Sequence, residues 1–549
     1  MKIEPVRITT NESVIALSFS YLLALKIKES LKEIPGYKWD KNSKCWVWPR
    51  TSGTAADLVR VLKNFPFVQV QADADFQTLL TESAKLETHQ AVKVSENLEP
   101  IPCLQTEAWL HQRRAYWYCE PMKAALLNMG MGTGKTLVAA ALAKNRDHKR
   151  ILIVCPKSVM DVWPTQIQRH TGEWAKVIQL RGSLKNRIDQ VLNATGERII
   201  LVTNYESFSQ AATDDLIAVL KVKQIDFIIC DESHKLKSPK GAASKAIREL
   251  AKWLNCHRLC LSGTPLAHSP VDIWAQYDFL DDSIYGKSFF AFRKTYTIDD
   301  PFGGVGGYRN MTGLNERMYR ICYQVGRDVL DLPELVESVR TYTLSSKMAS
   351  EYIRLYDYFD TSLAEISIQN AITALLKCQQ LCSGFLKQDD DETEVHKDKL
   401  SLLSEVIEEI DLAEPVVIFC RFQWEIKAIR AMLGNDALEL SGRANDLAEW
   451  QGGAARFLVV QIQAGSVGID LTRAAFCCYF SLDWSLANFE QSKARVHRPG
   501  QTRTTQLIYL LASMESGKPT IDADILAALQ ARRDFISEVV KERKDKEQC

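Results

Sequence analysis

The sequence predicts an α/β protein with two lobes built on parallel sheets, a helical insertion between the lobes and a small N-terminal α+β module. Residues 100–285 and 398–512 both alternate short β-branched runs with stretches of helical periodicity, as strand–helix–strand units do. The runs are continuously apolar, which is typical of strands buried on both faces of a parallel sheet. At 549 residues the chain is too long for one core, so about three domains are expected.

The N-terminal module, residues 1–95, has a different pattern from the rest of the chain. An amphipathic helix is predicted over residues 21–34, and a hairpin with aromatic flanks and a polar turn over residues 37–49. A further helix and a strand over residues 67–70 should complete the module. The polar and charged segment 81–99 is predicted to be a linker to the first lobe.

The first lobe, residues 100–285, is predicted to contain five buried strands, each ending in a polar or glycine-rich cluster. In open α/β sheets, ligands bind at the carboxyl ends of the strands, so these clusters should line one site. The predicted strands cover residues 124–127, 151–155, 199–203, 227–230 and 259–262.

A helical insertion is predicted over residues 286–397, with helices near 350–363 and 372–381. The second lobe, residues 398–512, repeats the alternating pattern of the first, and a helical tail should cover residues 513–549. Strands of the second lobe are predicted at residues 416–420, 457–461, 476–480 and 507–511.

Composition favours a soluble protein of the cytoplasm, and the absence of long basic tails suggests a bacterial or phage source. No apolar run approaches the roughly 20 residues that span a membrane, and the N-terminus has no signal-peptide core. The 14 cysteines include no Cys-x-x-Cys pair, so buried reduced thiols are expected rather than zinc or disulfides. Because the formal net charge is zero, any nucleic-acid surface must be a local basic stripe.

The glycine-rich stretch Asn-Met-Gly-Met-Gly-Thr-Gly-Lys-Thr at residues 128–136 predicts a phosphate-binding loop. A turn of this kind opens a helix whose backbone N–H groups cradle phosphates. Its lysine reaches the β- and γ-phosphates, and its hydroxyl holds Mg²⁺. The predicted nucleotide ligands in this stretch are Gly132, Thr133, Gly134, Lys135 and Thr136.

An acidic motif, Asp-Glu-Ser-His at residues 231–234, directly follows the apolar run 227–230. Asp231 is predicted to bind the metal, together with Thr136, and Glu232 to orient or deprotonate the attacking water. The phosphate-binding loop and the acidic motif, in this order, predict hydrolysis of a nucleoside triphosphate.

The order of sequence blocks resembles the SWI/SNF-type branch of superfamily-2 DNA-dependent ATPases over about residues 100–530. Two departures stand out: that family usually has an acidic pair where Met129 and Gly130 stand, and Asp470 replaces a common asparagine. The resemblance rests on residues 152–158 with Trp163, 203–206, 261–266 with Trp274, 328–333, 463–472 and 491–501.

This resemblance implies two RecA-like lobes that use ATP and Mg²⁺. It implies that Gln112 reads adenine and that Gly468 and Asp470 belong to the nucleotide site. Arg495 and Arg498 stand three residues apart and are predicted to share one helix face. That face is expected to lie across the interlobe cleft from the γ-phosphate, where arginines stabilise transition-state charge. His234 is expected either to couple the nucleotide site to the block at 261–266 or to form a structural hydrogen bond.

Contacts to DNA are expected at the ends of strands, from N–H, hydroxyl and basic donors that track phosphates without reading bases. The expected partner is double-stranded or forked DNA, a protein partner is left open, and a monomer is favoured. The candidates are Lys157, Thr203, Asn204, Arg421, Ser441, Gln463, Ser466 and Trp484.

The N-terminal module is weakly similar to the HARP module of annealing helicases, on residues 34–36, 39–40 and 46–49. Its tryptophans either stack on unpaired bases or form the core of a small domain.

The expected function is an ATP-driven translocase on duplex DNA that remodels DNA structures or displaces bound protein. The short interval 473–490 leaves little room for a strand-separating hairpin. A helicase that separates strands and a non-processive ATP-gated nucleic-acid clamp are the alternatives.

Overall fold

A computed structural model describes residues 3–32, 34, 36–209, 213–266, 269–300, 304–365, 368–388, 391–465 and 469–541. The chain divides into two compact units, and each of them contains one parallel sheet. The first unit comprises residues 1–329 and 539–549, and the second comprises residues 330–538.

The N-terminal module of the first unit is a five-stranded sheet with helices packed on it, in the strand order β3-β4-β2-β1-β5. The strands β1 and β5 are parallel, and the other neighbours are antiparallel. The elements are β1 (Glu4–Thr10), β2 (Val14–Ser18), α1 (Tyr21–Lys32), β3 (Lys38–Asp40), β4 (Cys45–Pro49), α2 (Ser52–Lys63), β5 (Val68–Ala72) and α3 (Ala74–Gln90).

The polar segment 81–99 is not simply a linker, because its first half belongs to helix α3. Phe76 and Leu79 anchor this helix in the core of the module, while its charged residues made the segment look unstructured. The indole of Trp48 is also in this core, where its N–H donates to the carbonyl of Ile34 over 3.3 Å. A single hydrophobic face is therefore enough to order a helix that is polar on average.

A buried carboxylate joins the module to the rest of the first unit. Asp57 on α2 is 2 % exposed and pairs with three guanidinium groups. Its carboxylate lies 3.1 Å from Arg60 and 3.5 Å from Arg317, and it also accepts a hydrogen bond from Arg320. Burial alone would raise the pKa of Asp57, but the charges of Arg320 and Arg317 outweigh it and lower this pKa.

The first parallel sheet has seven strands in the order β14-β6-β11-β10-β7-β9-β8. Every residue of β6 and β10 is buried, as the continuous apolar runs predict. The elements are α4 (Leu110–Cys119), β6 (Ala124–Met129), α5 (Lys135–Asn145), β7 (Arg150–Cys155), α6 (Val162–Thr171), β8 (Lys176–Gln179), α7 (Leu184–Leu192), β9 (Ile199–Asn204), α8 (Thr213–Val222), β10 (Phe227–Asp231), α9 (Ala242–Leu254), β11 (His257–Ser262), α10 (Ile273–Leu280), α11 (Asp282–Tyr285), α12 (Phe289–Tyr296), β12 (Thr297–Asp299), β13 (Val305–Tyr308), α13 (Met311–Met318) and β14 (Cys322–Val325).

The second unit contains a six-stranded parallel sheet in the order β15-β22-β21-β18-β20-β19. Strand β15 pairs along its whole length with β22. The elements are β15 (Leu335–Thr343), α14 (Ser346–Glu365), α15 (Ile368–Cys382), β16 (Phe385–Gln388), β17 (Asp391–Glu394), α16 (Asp398–Glu408), β18 (Val416–Cys420), α17 (Gln423–Leu433), β19 (Ala437–Leu440), α18 (Leu447–Gln451), β20 (Phe457–Gln461), α19 (Ile462–Gly465), β21 (Phe476–Tyr479), α20 (Leu486–Val496), β22 (Thr505–Ser513) and α21 (Ile521–Lys541).

The predicted fold class, two parallel-sheet lobes with an N-terminal α+β module, is confirmed. The segment 286–397 is less purely helical than its sequence indicated, because it supplies β14 to the first sheet and β15 to the second. The domain boundaries given from the sequence stay a prediction. Within the part of the chain that the structure describes, no helix has the length and apolarity to cross a membrane.

Candidate nucleotide-binding site

The phosphate-binding loop connects β6 to α5, and its shape depends on glycine. Gly132 and Gly134 have φ angles of 84° and 89°, in the left-handed region that favours glycine. A Cβ atom at Gly134 would also overlap the side-chain amide of Gln112. The ammonium group of Lys135 donates to the carbonyls of Met129 (2.9 Å) and Gly130 (3.3 Å), so the loop closes around its own positive charge. A helix N-terminus whose first residue is a lysine, as in α5, is suited to bind an anion.

Two side chains of α4 form hydrogen bonds to the backbone of the phosphate-binding loop. His111 and Gln112 both bond to the carbonyl of Thr133, over 2.9 and 3.0 Å. Burial lowers the pKa of His111, and because a carbonyl oxygen only accepts, the Nε2–H of its ring is the donor. The other end of the Gln112 amide accepts from the backbone N–H of Trp109 over 3.0 Å. The predicted adenine contact of Gln112 stays a prediction, and in this structure both ends of its amide are engaged within the protein.

The acidic pair lies at the carboxyl end of β10. Asp231 is buried: its Oδ1 accepts from the N–H of Glu232 (2.9 Å) and its Oδ2 from the indole N–H of Trp163 (3.1 Å). Burial, followed by the neighbouring charge of Glu232, raises the pKa of Asp231 to about 6, against an opposing effect of Lys135. Glu232 has a left-handed backbone with φ at 50°, a strained geometry that is frequent at functional sites.

A magnesium ion suits the oxygen groups of this site. Asp231 is held in a buried position where its charge is disfavoured, and a divalent cation would offset that cost. Thr136, in the first turn of α5, supplies the hydroxyl that the loop motif requires. Mg²⁺ commonly takes one or two protein oxygen ligands and completes its shell with water and phosphate. Among the described residues there is no cluster of three or more His, Cys, Asp or Glu side chains that could hold a metal without a nucleotide.

Two residues that contact Asp231, Trp163 and Tyr205, were not given a role from the sequence. Trp163 was noted only as part of a block, and it bonds to the carboxylate of Asp231. Tyr205 donates its hydroxyl to the backbone carbonyl of Asp231 over 2.7 Å. His234 has its Nδ1 3.3 Å from Oε2 of Glu232, and its coupling to residues 261–266 stays a prediction. Trp163 and Tyr205 are distant in sequence from Asp231, so only the fold brings them to the acidic pair.

The structure explains why glycine occupies position 130. The backbone N–H of Gly130 donates to the carbonyl of Val325, at the end of β14, over 2.9 Å. A Cβ atom at this position would lie 2.7 Å from Cγ of Arg327. The acidic side chain that the resembled family usually has at this position would have no room here, because the side chain and backbone of Arg327 occupy the space.

The two arginines of the second unit do not share a helix, which corrects the sequence prediction. Helix α20 ends at Val496, so it contains Arg495 but not Arg498. The reason is local: Pro499 follows Arg498, and a residue before proline avoids the helical region. The guanidinium of Arg498 donates to the carbonyl of Ile469 over 3.1 Å.

Asp470, a predicted nucleotide ligand, forms a local turn. Its Oδ1 accepts from the N–H and the hydroxyl of Thr472, over 2.9 and 2.7 Å. Gly468 lies outside the described residues. The nucleotide roles of Asp470, Arg495 and Arg498 stay predictions.

The DNA candidates of the first unit differ in exposure. Lys157 is exposed, at the start of a short 3₁₀ turn after β7. Thr203 and Asn204 are buried, and both bond to the hydroxyl of Ser207, over 2.7 and 2.6 Å. The amide oxygen of Asn204 also accepts from Arg187 over 3.0 Å. Their side chains are therefore engaged within the protein, and DNA contact stays a prediction for all three.

The DNA candidates of the second unit are also partly engaged. Arg421 lies 5.2 Å from the ring centre of Phe422, and burial lowers the pKa of its guanidinium. The hydroxyl of Ser441 donates to Glu439 over 2.5 Å. Gln463 belongs to the short helix α19, and Trp484 packs against the hydrophobic core. Ser466 lies outside the described residues, and the DNA roles of all these residues stay predictions.

Two family models match most of the chain. A family model of the SNF2-related domain matches residues 46–390, and a model of the helicase conserved C-terminal domain matches residues 398–500. The chain belongs to the SNF2-related family. The resemblance of its motif order to SWI/SNF-type ATPases is thereby confirmed, whereas the HARP-like character of the N-terminal module stays a prediction.

Relatives of this SNF2-related chain include proteins from bacteria and animals. It is 24% identical over 434 residues to an uncharacterized ATP-dependent helicase of Mycoplasma genitalium, which covers 75% of this chain and 40% of that protein. It is 23% identical over 556 residues to the DNA repair and recombination protein RAD54-like of Homo sapiens, covering 85% and 72%. The chain thus spans less than half of the Mycoplasma protein.

Among solved structures, the SWI2/SNF2 ATPase core of Sulfolobus solfataricus in complex with double-stranded DNA aligns with a TM-score of 0.38 and 21% identity. This alignment covers 76% of this chain and 90% of that one.

Proposed function

We propose that this SNF2-related chain hydrolyses ATP and uses the energy to move along double-stranded DNA, remodelling DNA structures or displacing bound proteins. The observation that carries the ATPase proposal is that the loop with Lys135 and the buried carboxylate of Asp231 lie at the carboxyl ends of β6 and β10, which flank β11 in one parallel sheet. The charge of Lys135 lowers the pKa of Asp231, although burial and Glu232 raise it overall. A cation for phosphates and a carboxylate for metal, at the same edge of one sheet, are the two halves of a phosphoryl-transfer site.

Each residue of this site has one task in the proposed reaction. Lys135 and the backbone of the loop hold the β- and γ-phosphates, and Asp231 and Thr136 hold Mg²⁺, which neutralises phosphate charge when bound. Glu232 orients the attacking water and accepts its proton. His111 and Gln112 keep the loop in its bent shape through the carbonyl of Thr133.

Duplex DNA is the proposed track because of family membership and the names of relatives. The human relative is named for DNA repair and recombination, and the Mycoplasma relative for ATP-dependent helicase activity. The exposed Lys157 is the first-unit candidate best placed to meet a phosphate. Phosphate contacts fix a protein on DNA without reading sequence, as a translocating motor requires.

The N-terminal module supports a preference for forked DNA. Trp39 is 49 % exposed and contacts the ring of Trp46 with 5.3 Å between ring centres. The ring centre of Tyr37 lies 5.7 Å from that of Trp46, and the ammonium group of Lys28 lies 5.9 Å from the centre of the Trp46 ring. Aromatic rings beside lysines can stack on unpaired bases. Trp48, in contrast, belongs to the core. Fork regression and strand annealing are therefore the finer form of the proposal.

A strand-separating helicase is the second candidate, and one observation weighs against it. Between the end of β21 at Tyr479 and the start of α20 at Leu486 the described chain has only a short turn. A separating hairpin does not fit there. A clamp that binds DNA without moving is the third candidate. The presence of Lys135, Asp231, Glu232 and Arg498 argues against it, since a scaffold without turnover would not need all four.

The deciding experiment is steady-state ATP hydrolysis without DNA and with single-stranded, blunt duplex or forked duplex DNA, with Lys135→Ala as the inactive control. The proposal expects stimulation by duplex DNA, strongest with the fork. Stimulation by single strands alone, with displacement of a labelled strand, would favour the helicase. Stimulation by duplex without displacement of a triplex-forming strand would favour the clamp. No response to any DNA would contradict the DNA proposal.

A further inference from the structure

A chain of two side-chain hydrogen bonds links the acidic motif to the loop after β11. The hydroxyl of Ser233 donates to Oε1 of Gln276 over 2.8 Å. The amide N–H of Gln276 then donates to the backbone carbonyl of Pro265 over 2.7 Å. Ser233 is the residue after Glu232, and Pro265 belongs to the Ser-Gly-Thr-Pro block at residues 262–265. Gln276, on α10, therefore bridges two segments that both border the nucleotide site.

The bridge is fully enclosed. Ser233 and Gln276 are both 0 % exposed, and α10 is buried along its whole length. A carboxamide in such a place is costly unless both of its ends are bonded, and here both are. Its N–H group has a second acceptor, the carbonyl of Asp272, at 3.3 Å. An apolar side chain would fill this position without that requirement, so the polar residue indicates a geometric role.

The loop at the far end of the bridge also touches the phosphate-binding loop. A Cβ atom on Gly263 would lie 3.3 Å from the carbonyl oxygen of Met129 and 3.6 Å from the backbone nitrogen of Met131. Strand β11, which leads into Gly263, lies between β6 and β10 in the sheet. The bridge thus connects the carboxylate turn with a segment that is in contact with the phosphate cradle.

We infer that Gln276 is a positioning residue for ATP hydrolysis. It holds the turn of Glu232 and the turn of Pro265 at a fixed distance. The carboxylates of the acidic motif therefore keep their position relative to phosphates bound by the phosphate-binding loop. The inference rests on the proposed ATPase activity. Because the bridge touches neither phosphate nor base, its loss should lower kcat and leave nucleotide binding in place.

The test is a double-mutant cycle with Ser233→Ala, Gln276→Met and the combined variant. Each single variant breaks the bridge, so each should lower kcat about tenfold, the effect of one buried hydrogen bond of ordinary strength. The combined variant should lose no more than the larger single loss, because the bridge acts as one unit. KM for ATP and the Kd of a fluorescent ATP analogue should change less than about twofold.

A matched control separates positioning from general stability. Thr171→Val removes a buried hydroxyl that donates to the carbonyl of Ile167 (2.7 Å) and accepts from Trp174 (2.9 Å), at the opposite end of α6 from Trp163. This control should keep the wild-type kcat at a similar loss in Tm. Wild-type kcat in both single variants, or losses that multiply in the combined variant, would overturn the inference. An inactive wild-type protein would contradict the proposed function instead, so the two failures are distinguishable.

Discussion

Trp163 on α6 donates its indole N–H to Oδ2 of Asp231 over 3.1 Å, deep in the first unit. A hydrogen bond to an ionised carboxylate favours the charged form, so this indole lowers the pKa of Asp231. Burial and Glu232 act in the opposite direction and win, which leaves the pKa at about 6. The pKa of this carboxylate therefore lies above its ordinary value, and changes around it should be visible in pH profiles.

Trp163→Phe should shift the acid limb of the pH profile of kcat/KM for ATP to higher pH by about one unit. The variant lacks the donor that stabilises the ionised carboxylate, so the pKa of Asp231 rises and protons compete with Mg²⁺ at higher pH. The requirement for Mg²⁺ at pH 6.5 should rise in parallel. Trp450→Phe is the control, because that buried indole donates to the carbonyl of Arg456 instead. An unchanged acid limb in Trp163→Phe would exclude this effect.

Glu232→Gln should retain ATP binding and lose turnover by about 10² to 10⁴-fold, the usual contribution of a general base. The amide keeps the size of the side chain but cannot accept a proton from water. Equilibrium binding of a fluorescent ATP analogue and single-turnover hydrolysis measure the two effects. Lys135→Ala should instead lose binding, so the pair separates the phosphate cradle from the base. Wild-type turnover in Glu232→Gln would disprove the role of this carboxylate.

Arg498→Ala should bind ATP and hydrolyse it about 10³-fold more slowly, if this arginine stabilises transition-state charge as the family resemblance implies. Measurements of kcat and Kd on the same preparation check this. Arg340→Ala is a suitable control, since Arg340 lies in the same unit and forms an exposed pair with Glu409 over 3.1 Å. An unaltered kcat in Arg498→Ala would remove Arg498 from the reaction.

Asp57→Ala should destabilise the first unit by about 3–5 kcal/mol, because it leaves the buried guanidinium of Arg317 without its carboxylate. Asp75→Ala is the matched control: Asp75 pairs with Arg50 over 3.4 Å and its side chain is 60% exposed. It should cost less than about 1 kcal/mol. Thermal unfolding and limited proteolysis of both variants would test this, and equal stability of the two would contradict it.

The sequence was sufficient for elements with a strong local pattern. The runs that became β6, β10, β18 and β20 are continuously apolar, and burial on both faces of a parallel sheet leaves no other pattern. Edge strands escaped this reasoning. For example, β15 has no buried residue and lies in a region of helical signals, and only its pairing with β22 defines it.

In the candidate site, too, the sequence identified the residues of contiguous motifs but not the partners that only tertiary contacts bring together. Lys135 and Asp231 were identified because their motifs are contiguous in sequence. Trp163 stands 68 residues before Asp231, and Gln276 stands 43 residues after Ser233, so no local pattern relates them. The helix expected to carry Arg498 was a different kind of error, because the proline rule that ends it was present in the sequence.

Because Arg327 approaches Gly130 so closely, a larger residue can replace Gly130 only if position 327 changes as well. Consider a chimaera that receives the phosphate-binding loop of a relative with an acidic residue at position 130. The new Cβ atom would lie 2.7 Å from Cγ of Arg327 and would clash with it. A chimaera that also receives the turn after β14 escapes this clash. Natural substitutions at positions 130 and 327 should therefore be correlated across the family, and recombination that separates them should be selected against.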